Sequence, residues 1–193
     1  MAEVLRLGFV TGTTPDKWAR AWRDRRRERL ELVPITEEQQ DDVVQRGEVD
    51  LALVRLPVAV DDLHRVRLYD ELPVAVVGLD HFVAAADTVT LDDLVDEQLV
   101  RPHASGWRPT APQLDWPPMG ERDAIETVAA GTGIVLLPMS VARLFHRKDV
   151  VHRQVTDLPS TTVALVWRRD RDDEVTQAFV GVVKGRTAHT TRG

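Results

Sequence analysis

Thr11, Thr13 and Thr14 surround Gly12 where the apolar run VLRLGFV ends, and Pro15 and Asp16 open a helical pattern directly after them. A strand, a glycine turn and a helix start in that order can hold a carboxylate or carbonyl oxygen. The first N–H groups of a helix have no partner within it and lie at the positive end of its dipole. The loop is not a nucleotide motif: GxGxxG is absent, and Lys17, five residues after Gly12, lacks the glycine that a Walker A lysine follows. Thr14 is expected to cap the helix, with Thr11 and Thr13 facing either a ligand or their own turn.

Other polar side chains follow predicted strands, where ligands of α/β sheets gather. Thr36 can cap the second helix through a Thr36–Gln39 capping box, meet a ligand, or do both. Arg55 ends the apolar run LALV, where its guanidinium can take a ligand carboxylate in two parallel hydrogen bonds or pair with Asp61, Asp62 or Asp70. Arg101, His103, Ser105 and Trp107 lie after a later strand, as cleft residues or as a solvated loop. The candidate ligand set is Thr11, Thr13, Thr14, Thr36, Arg55, Arg101 and His103, with no catalytic residue, metal ligand or cofactor.

Several tempting features carry less. Gly131, Thr132 and Gly133 read as a turn, and DRRRERLE as the basic last turn of a helix diluted by acids at both ends. His146 and His152 have no HExxH or comparable metal spacing, and Ser140 lacks the glycines of a nucleophile elbow. Trp18 and Trp22 are four residues apart, hence on one helix face, as core or interface residues.

The whole chain has 193 residues, 43% of them hydrophobic, enough for one large domain or two small lobes. Lys and Arg number 25 against 31 Asp and Glu, a formal charge of −6, which does not supply the basic surface that a polyanion needs. There is no cysteine, so disulfides, thiolate metal sites and a cysteine nucleophile are excluded. No leader pattern and no membrane-length apolar stretch is present, and the compartment expected is the cytoplasm.

The elements that position these residues follow from hydrophobic period. Strands at 5–10, 30–34 and 51–54 alternate with helices at 15–27 and from 36 to Gly47, the β-α-β-α-β grammar of a parallel sheet. Residues 63–78 form a long extended segment broken by Asp70, Glu71 and Pro73, able to pass between two lobes. A short helix capped by Thr90 and Asp93 leads to a strand at 98–101 and an irregular, proline-rich run at 102–118. A helix to Ala130, strands at 134–137, 150–155 and 162–167, a short helix at 140–145 and an amphipathic helix at 174–183 complete the pattern. The tail GRTAHTTRG has too little apolar surface to be expected to order.

Six strings in order, LRLGFV, ELVPITEEQQDDVVQRGEVDLALVR, LYDELPVAVVGLDHFVAA, VTLDDLVDEQLV, AIETVAAGTGIVLLPMSVA and VALVWRRDRDDEVTQAFVGVV, together resemble the effector-binding domain of LysR-type transcriptional regulators. The resemblance implies a type 2 periplasmic binding protein-like α/β fold: two lobes, each a mostly parallel sheet flanked by helices, joined by two crossing strands. Lobe I would be residues 1–70 plus 168–193 and lobe II residues 71–167. It further implies a small-molecule effector between the lobes, contact of the Thr11–Thr14 loop with it, and a second subunit against which Trp18 or Trp22 packs; Thr11, Thr13 and Arg55 point to an anionic effector, and the assembly expected is a homodimer or a heterodimer with a related regulator. The family's N-terminal winged helix-turn-helix has no counterpart here, so no direct DNA binding is expected of this chain. The proline-rich run at 102–118 departs from the family's full helix there. Two alternatives stay open: a lyase or dehydratase on the same fold, with His103 as acid or base, and an interaction module that modulates a full-length regulator.

Overall fold

The computed structural model describes residues 4–185. The elements in chain order are β1 (Val4–Val10), α1 (Asp16–Arg25), β2 (Arg29–Ile35), α2 (Gln40–Gln45), β3 (Leu51–Arg55), β4 (Leu63–Glu71), β5 (Pro73–Gly78) and β6 (Thr88–Val89). There follow α3 (Glu121–Ala129), β7 (Val135–Pro138), α4 (Met139–Leu144), β8 (Val150–Val155), β9 (Thr161–Arg168) and α5 (Glu174–Val183), with single 3₁₀ turns at Phe82–Ala85, Asp92–Leu94 and Arg169–Arg171. Two compact units result, one of residues 4–69 and 162–185, the other of residues 70–161. The polar tail, apart from Gly185, lies outside the described residues.

The first unit is built on a five-stranded sheet in the order β2-β1-β3-β9-β4. β1 runs parallel to β2, from Val4 opposite Arg29 to Val10 opposite Ile35, and parallel to β3, with Leu7 opposite Leu51. β9 then pairs antiparallel with β3, Leu51 facing Trp167 and Arg55 facing Val163. Every residue of β3 is buried. Its alternate side chains therefore reach two cores, Leu51 and Leu53 on one face, Ala52 and Val54 on the other. The α2 face packs Val43, Val44 and Val49 against Val10, Ile35 and Ala164; the α1 and α5 face packs Trp18 and Trp22 against Leu7, Leu165 and Phe179.

Both tryptophans are thus core residues of this unit. Trp22 is fully buried, meets Phe179 edge to face at 5.5 Å, and donates its indole N–H to the Glu28 carbonyl at 2.8 Å. α2 ends in a Schellman motif: Gly47 takes φ +69°, its N–H donates to the Val44 carbonyl, and Glu48 N–H donates to the Val43 carbonyl.

The second unit has a four-stranded sheet in the order β6-β8-β5-β7. It is mixed rather than mostly parallel: β5 runs antiparallel to both β7 and β8, and only β6 pairs in parallel, with β8. The strand expected at 98–101 reduces to one bridge, Leu99 with Ile134. The reason lies in two glutamines. Leu99 N–H donates to the Gln113 side-chain carbonyl (2.8 Å), and Leu114 N–H donates to that of Gln98 (2.8 Å). The Gln98 amide also reaches the Pro112 carbonyl, and the Gln113 amide those of Glu97 and Ala111. Prolines cannot supply ladder donors, so side-chain amides fasten the irregular run where a neighbouring strand would otherwise pair.

Candidate functional site

β1, β2 and β3 are parallel, so Val10, Ile35 and Arg55 end at the same edge of the sheet. The loop after β1 turns on Gly12, at φ +90°. Thr13 closes it: its backbone N–H (3.1 Å) and its hydroxyl (2.7 Å) both donate to the Val10 carbonyl, and the residue is 4% exposed. Thr14 does not cap α1. The cap position is Pro15, already in helical conformation and with no side-chain hydrogen bond, and Thr14 is exposed. The turn around Thr13 and the preset φ of proline start the helix without a hydroxyl cap. Thr11 is partly buried.

Thr36 follows β2 and donates its backbone N–H to the Gln39 side chain at 3.0 Å, one half of the expected capping box. The helix itself begins later, at Gln40, after a turn over residues 37–39.

Arg55 is the centre of this edge. Its side chain is 2% exposed, yet it carries a charge, so its partners must compensate for lost water. One terminal nitrogen donates to the Thr11 carbonyl at 2.8 Å, and the other lies 3.5 Å from a Glu37 carboxylate oxygen. Glu37, which the sequence did not single out, is thus an acid beside Arg55. Asp62 instead stands 3.6 Å from Arg169. The Arg55 backbone is held as well: the buried Gln40 side chain accepts from Arg55 N–H (3.0 Å) and donates to Arg55 C=O (2.9 Å). The registered pairing of β1 with β3 stops at Phe9 opposite Leu53, so Gln40 supplies what a longer β1 would have supplied.

The fold thus brings Thr11, Thr36 and Arg55 to one sheet edge and adds Glu37 and Gln40. Gln40 left a signal in the sequence, since it precedes Val43 and Val44 by three and four residues and shares their buried helix face. Glu37 left none, because its pairing depends on a residue 18 positions away.

The second unit holds the other two candidates. Arg101 donates to the Met119 carbonyl at 3.2 Å and stands 3.5 Å from Glu121. His103 Nδ1 accepts from Ser105 N–H at 3.2 Å and lies 2.8 Å from the Ser105 hydroxyl, which also accepts from Trp107 N–H. Burial, and after it the charge of Arg101, lowers the His103 pKa and favours the neutral ring. Ser140 donates its hydroxyl to the buried Glu71 carboxylate.

Among the described residues no group of three or more His, Cys, Asp or Glu side chains is placed to hold a metal ion, and no helix is long and apolar enough to cross a membrane. A surface pocket of about 460 Å³ in the first unit is lined by Gln45, Asp62, Arg168, Arg169 and Asp170 among others. Its charges pair with each other, Arg168 with Asp170 at 2.9 Å and Arg169 with Asp62.

Comparison with known proteins places this geometry. The family described as LysR substrate binding domain matches residues 2–117 and 122–188. The Hca operon transcriptional activator HcaR of Escherichia coli is 26% identical over 84% of this chain and 59% of its own length. The HTH-type transcriptional regulator AlsR of Bacillus subtilis is 22% identical over 93% of this chain and 65% of its own length. The chain therefore spans about three fifths of these relatives, both of which are named as regulators of transcription. The solved effector binding domain of BenM with its effector benzoate superposes with a TM-score of 0.75, covering 95% of this chain and 91% of that one at 20% identity, and so shares the fold.

Proposed function

The chain belongs to the LysR substrate-binding domain family, and from that premise we propose that it is the effector-sensing part of cytoplasmic transcription regulation, binding a small organic acid. The observation that carries the reading is the meeting of Thr11, Thr36 and Arg55 at the carboxyl ends of β1, β2 and β3, the edge at which α/β sheets take ligands. Arg55 supplies the positive charge and Thr11 its support. Thr13 and Thr14 lie in the same loop, and Arg101 and His103 are the ligand residues proposed within the second unit. BenM's effector benzoate exemplifies the ligand class. The proposed assembly is a homodimer or a heterodimer with a related regulator. Effector binding acts on it only as far as the ligand prefers one conformation over another.

Calorimetry and thermal shift against a library of small organic acids that includes benzoate test the reading. A binder is expected, and Arg55→Lys, which keeps the charge but loses the planar fork, weakens it about tenfold. Absence of any binder refutes the effector reading, and unchanged affinity in Arg55→Lys refutes the role of Arg55.

A further inference from the structure

We propose that Gln40, which the sequence does not mark as a site residue, is the positioning residue of this sheet edge: its buried amide fixes Arg55 in place for an acid and so sets the affinity of the site. The inference rests on the reading of that edge as an effector site. Gln40 is 6% exposed and opens α2. Its side chain accepts from Arg55 N–H at 3.0 Å and donates to Arg55 C=O at 2.9 Å. On the other flank β9 holds the same stretch, with Arg55 opposite Val163 and Leu56 N–H donating to the Thr162 carbonyl. The registered pairing with β1 has already stopped at Leu53, so on that side the amide of Gln40 keeps the end of β3 in line.

The same amide joins the loops of the edge. The turn after β2 runs into Gln40, whose backbone N–H donates to the Glu37 carbonyl, and Gln39 beside it accepts from Thr36 N–H. The Arg55 guanidinium in turn donates to the Thr11 carbonyl in the loop after β1. Three strand ends are thus linked through Gln40 and Arg55. Recognition of a carboxylate by a guanidinium fork needs placement within about 0.5 Å and 10–20°. The Arg55 side chain is enclosed, at 2% exposure, so a shift of its backbone carries the fork with it instead of being absorbed by side-chain rotation.

The test titrates the whole chain with sodium benzoate by calorimetry, at a temperature where circular dichroism shows every variant folded. Gln40→Leu and Arg55→Lys are each expected to weaken binding about tenfold, and the double variant to bind no more weakly than Arg55→Lys alone, since Gln40 acts through Arg55. Val43→Ala loosens the same buried face of α2 without touching Arg55, and is expected to stay within about twofold of the wild type. Wild-type affinity in Gln40→Leu, additive losses in the double variant, or a loss in Val43→Ala equal to that in Gln40→Leu overturns the inference. A second readout needs no ligand: the Arg55 Nε–H resonance, identified by its disappearance in Arg55→Lys, is expected to shift or broaden in Gln40→Leu and to stay in place in Val43→Ala. If the wild type does not bind benzoate, the effector reading fails for this acid and the resonance decides whether Gln40 positions the guanidinium; an unmoved signal in Gln40→Leu overturns it. If Gln40→Leu does not fold, Gln40→Asn, too short to reach both Arg55 groups, takes its place under the same criteria.

Discussion

Replacing Gln40 by Leu removes the amide that stands in for a missing stretch of β1. The exchange is close in size, and the two residues have similar helix propensity, so α2 and its packing are little disturbed. What is lost is the pair of hydrogen bonds to Arg55, at 3.0 and 2.9 Å, both buried. Arg55 N–H and C=O then face an apolar side chain with no water in reach. Each buried backbone group left without a partner costs about 1–3 kcal/mol, so the pair costs about 2–6 kcal/mol. For a chain of this length that lowers the melting temperature by roughly 4–24 °C. Gln40→Glu divides the effect, because a carboxylate accepts from Arg55 N–H but cannot donate to Arg55 C=O. Its loss is expected to be about half as large. Urea unfolding followed by far-ultraviolet circular dichroism measures the stability, and hydrogen exchange over residues 51–56 localises it to the end of β3. A Gln40→Leu protein within about 0.5 kcal/mol of the wild type, with unchanged exchange at Arg55, refutes the account of Gln40 as a strand substitute.

Two other consequences can be measured with the same tools. Gly133 sits at φ +65°, and a Cβ built there falls 2.2 Å from the Gln98 carbonyl oxygen that accepts the Ile134 N–H. Gly133→Ala is expected to cost at least about 2 kcal/mol from strained backbone and lost bridge geometry, and a neutral result in urea unfolding contradicts it. His103 and His152 both have their pKa lowered below the ordinary 6.5, in each case first by burial and then by nearby arginine charge, from Arg101 and from Arg143. The folded protein therefore binds these protons less readily than the unfolded chain. The stability from this source is complete above pH 6.5 and is lost as pH falls through the depressed values. His103→Gln is expected to lose less stability between neutral and mildly acid pH than the wild type does; equal losses in urea midpoint contradict it.

The β-α-β-α-β order, the crossing segment broken near Pro73 and the helix at Glu174–Val183 were all legible as hydrophobic period and turn chemistry. These are local signals, and the physics that creates them acts over one or two turns of helix or a few residues of strand. The strand expected at 98–101 failed for the complementary reason. Whether Leu99 N–H meets another strand or the Gln113 side chain is decided 14 residues away, by how the proline-rich run folds back. Thr14 failed because a preset proline and the Thr13 turn did the work assigned to its hydroxyl.

The sequence by itself determined that Arg55 would end a buried strand beside the threonine loop. Apolar residues on both sides of LALV demand a sheet covered on both faces, and the polar residue after it then falls at the sheet edge. Only the tertiary structure decided what that charge is joined to. A guanidinium at 2% exposure has to find an anion wherever the fold brings one, and Glu37 is brought beside it, with the Thr11 carbonyl from the loop after β1 accepting from the guanidinium and Gln40 from α2 holding its backbone. Burial sets the demand and is written locally in the sequence, whereas the partner depends on three-dimensional proximity between segments that the chain itself keeps apart.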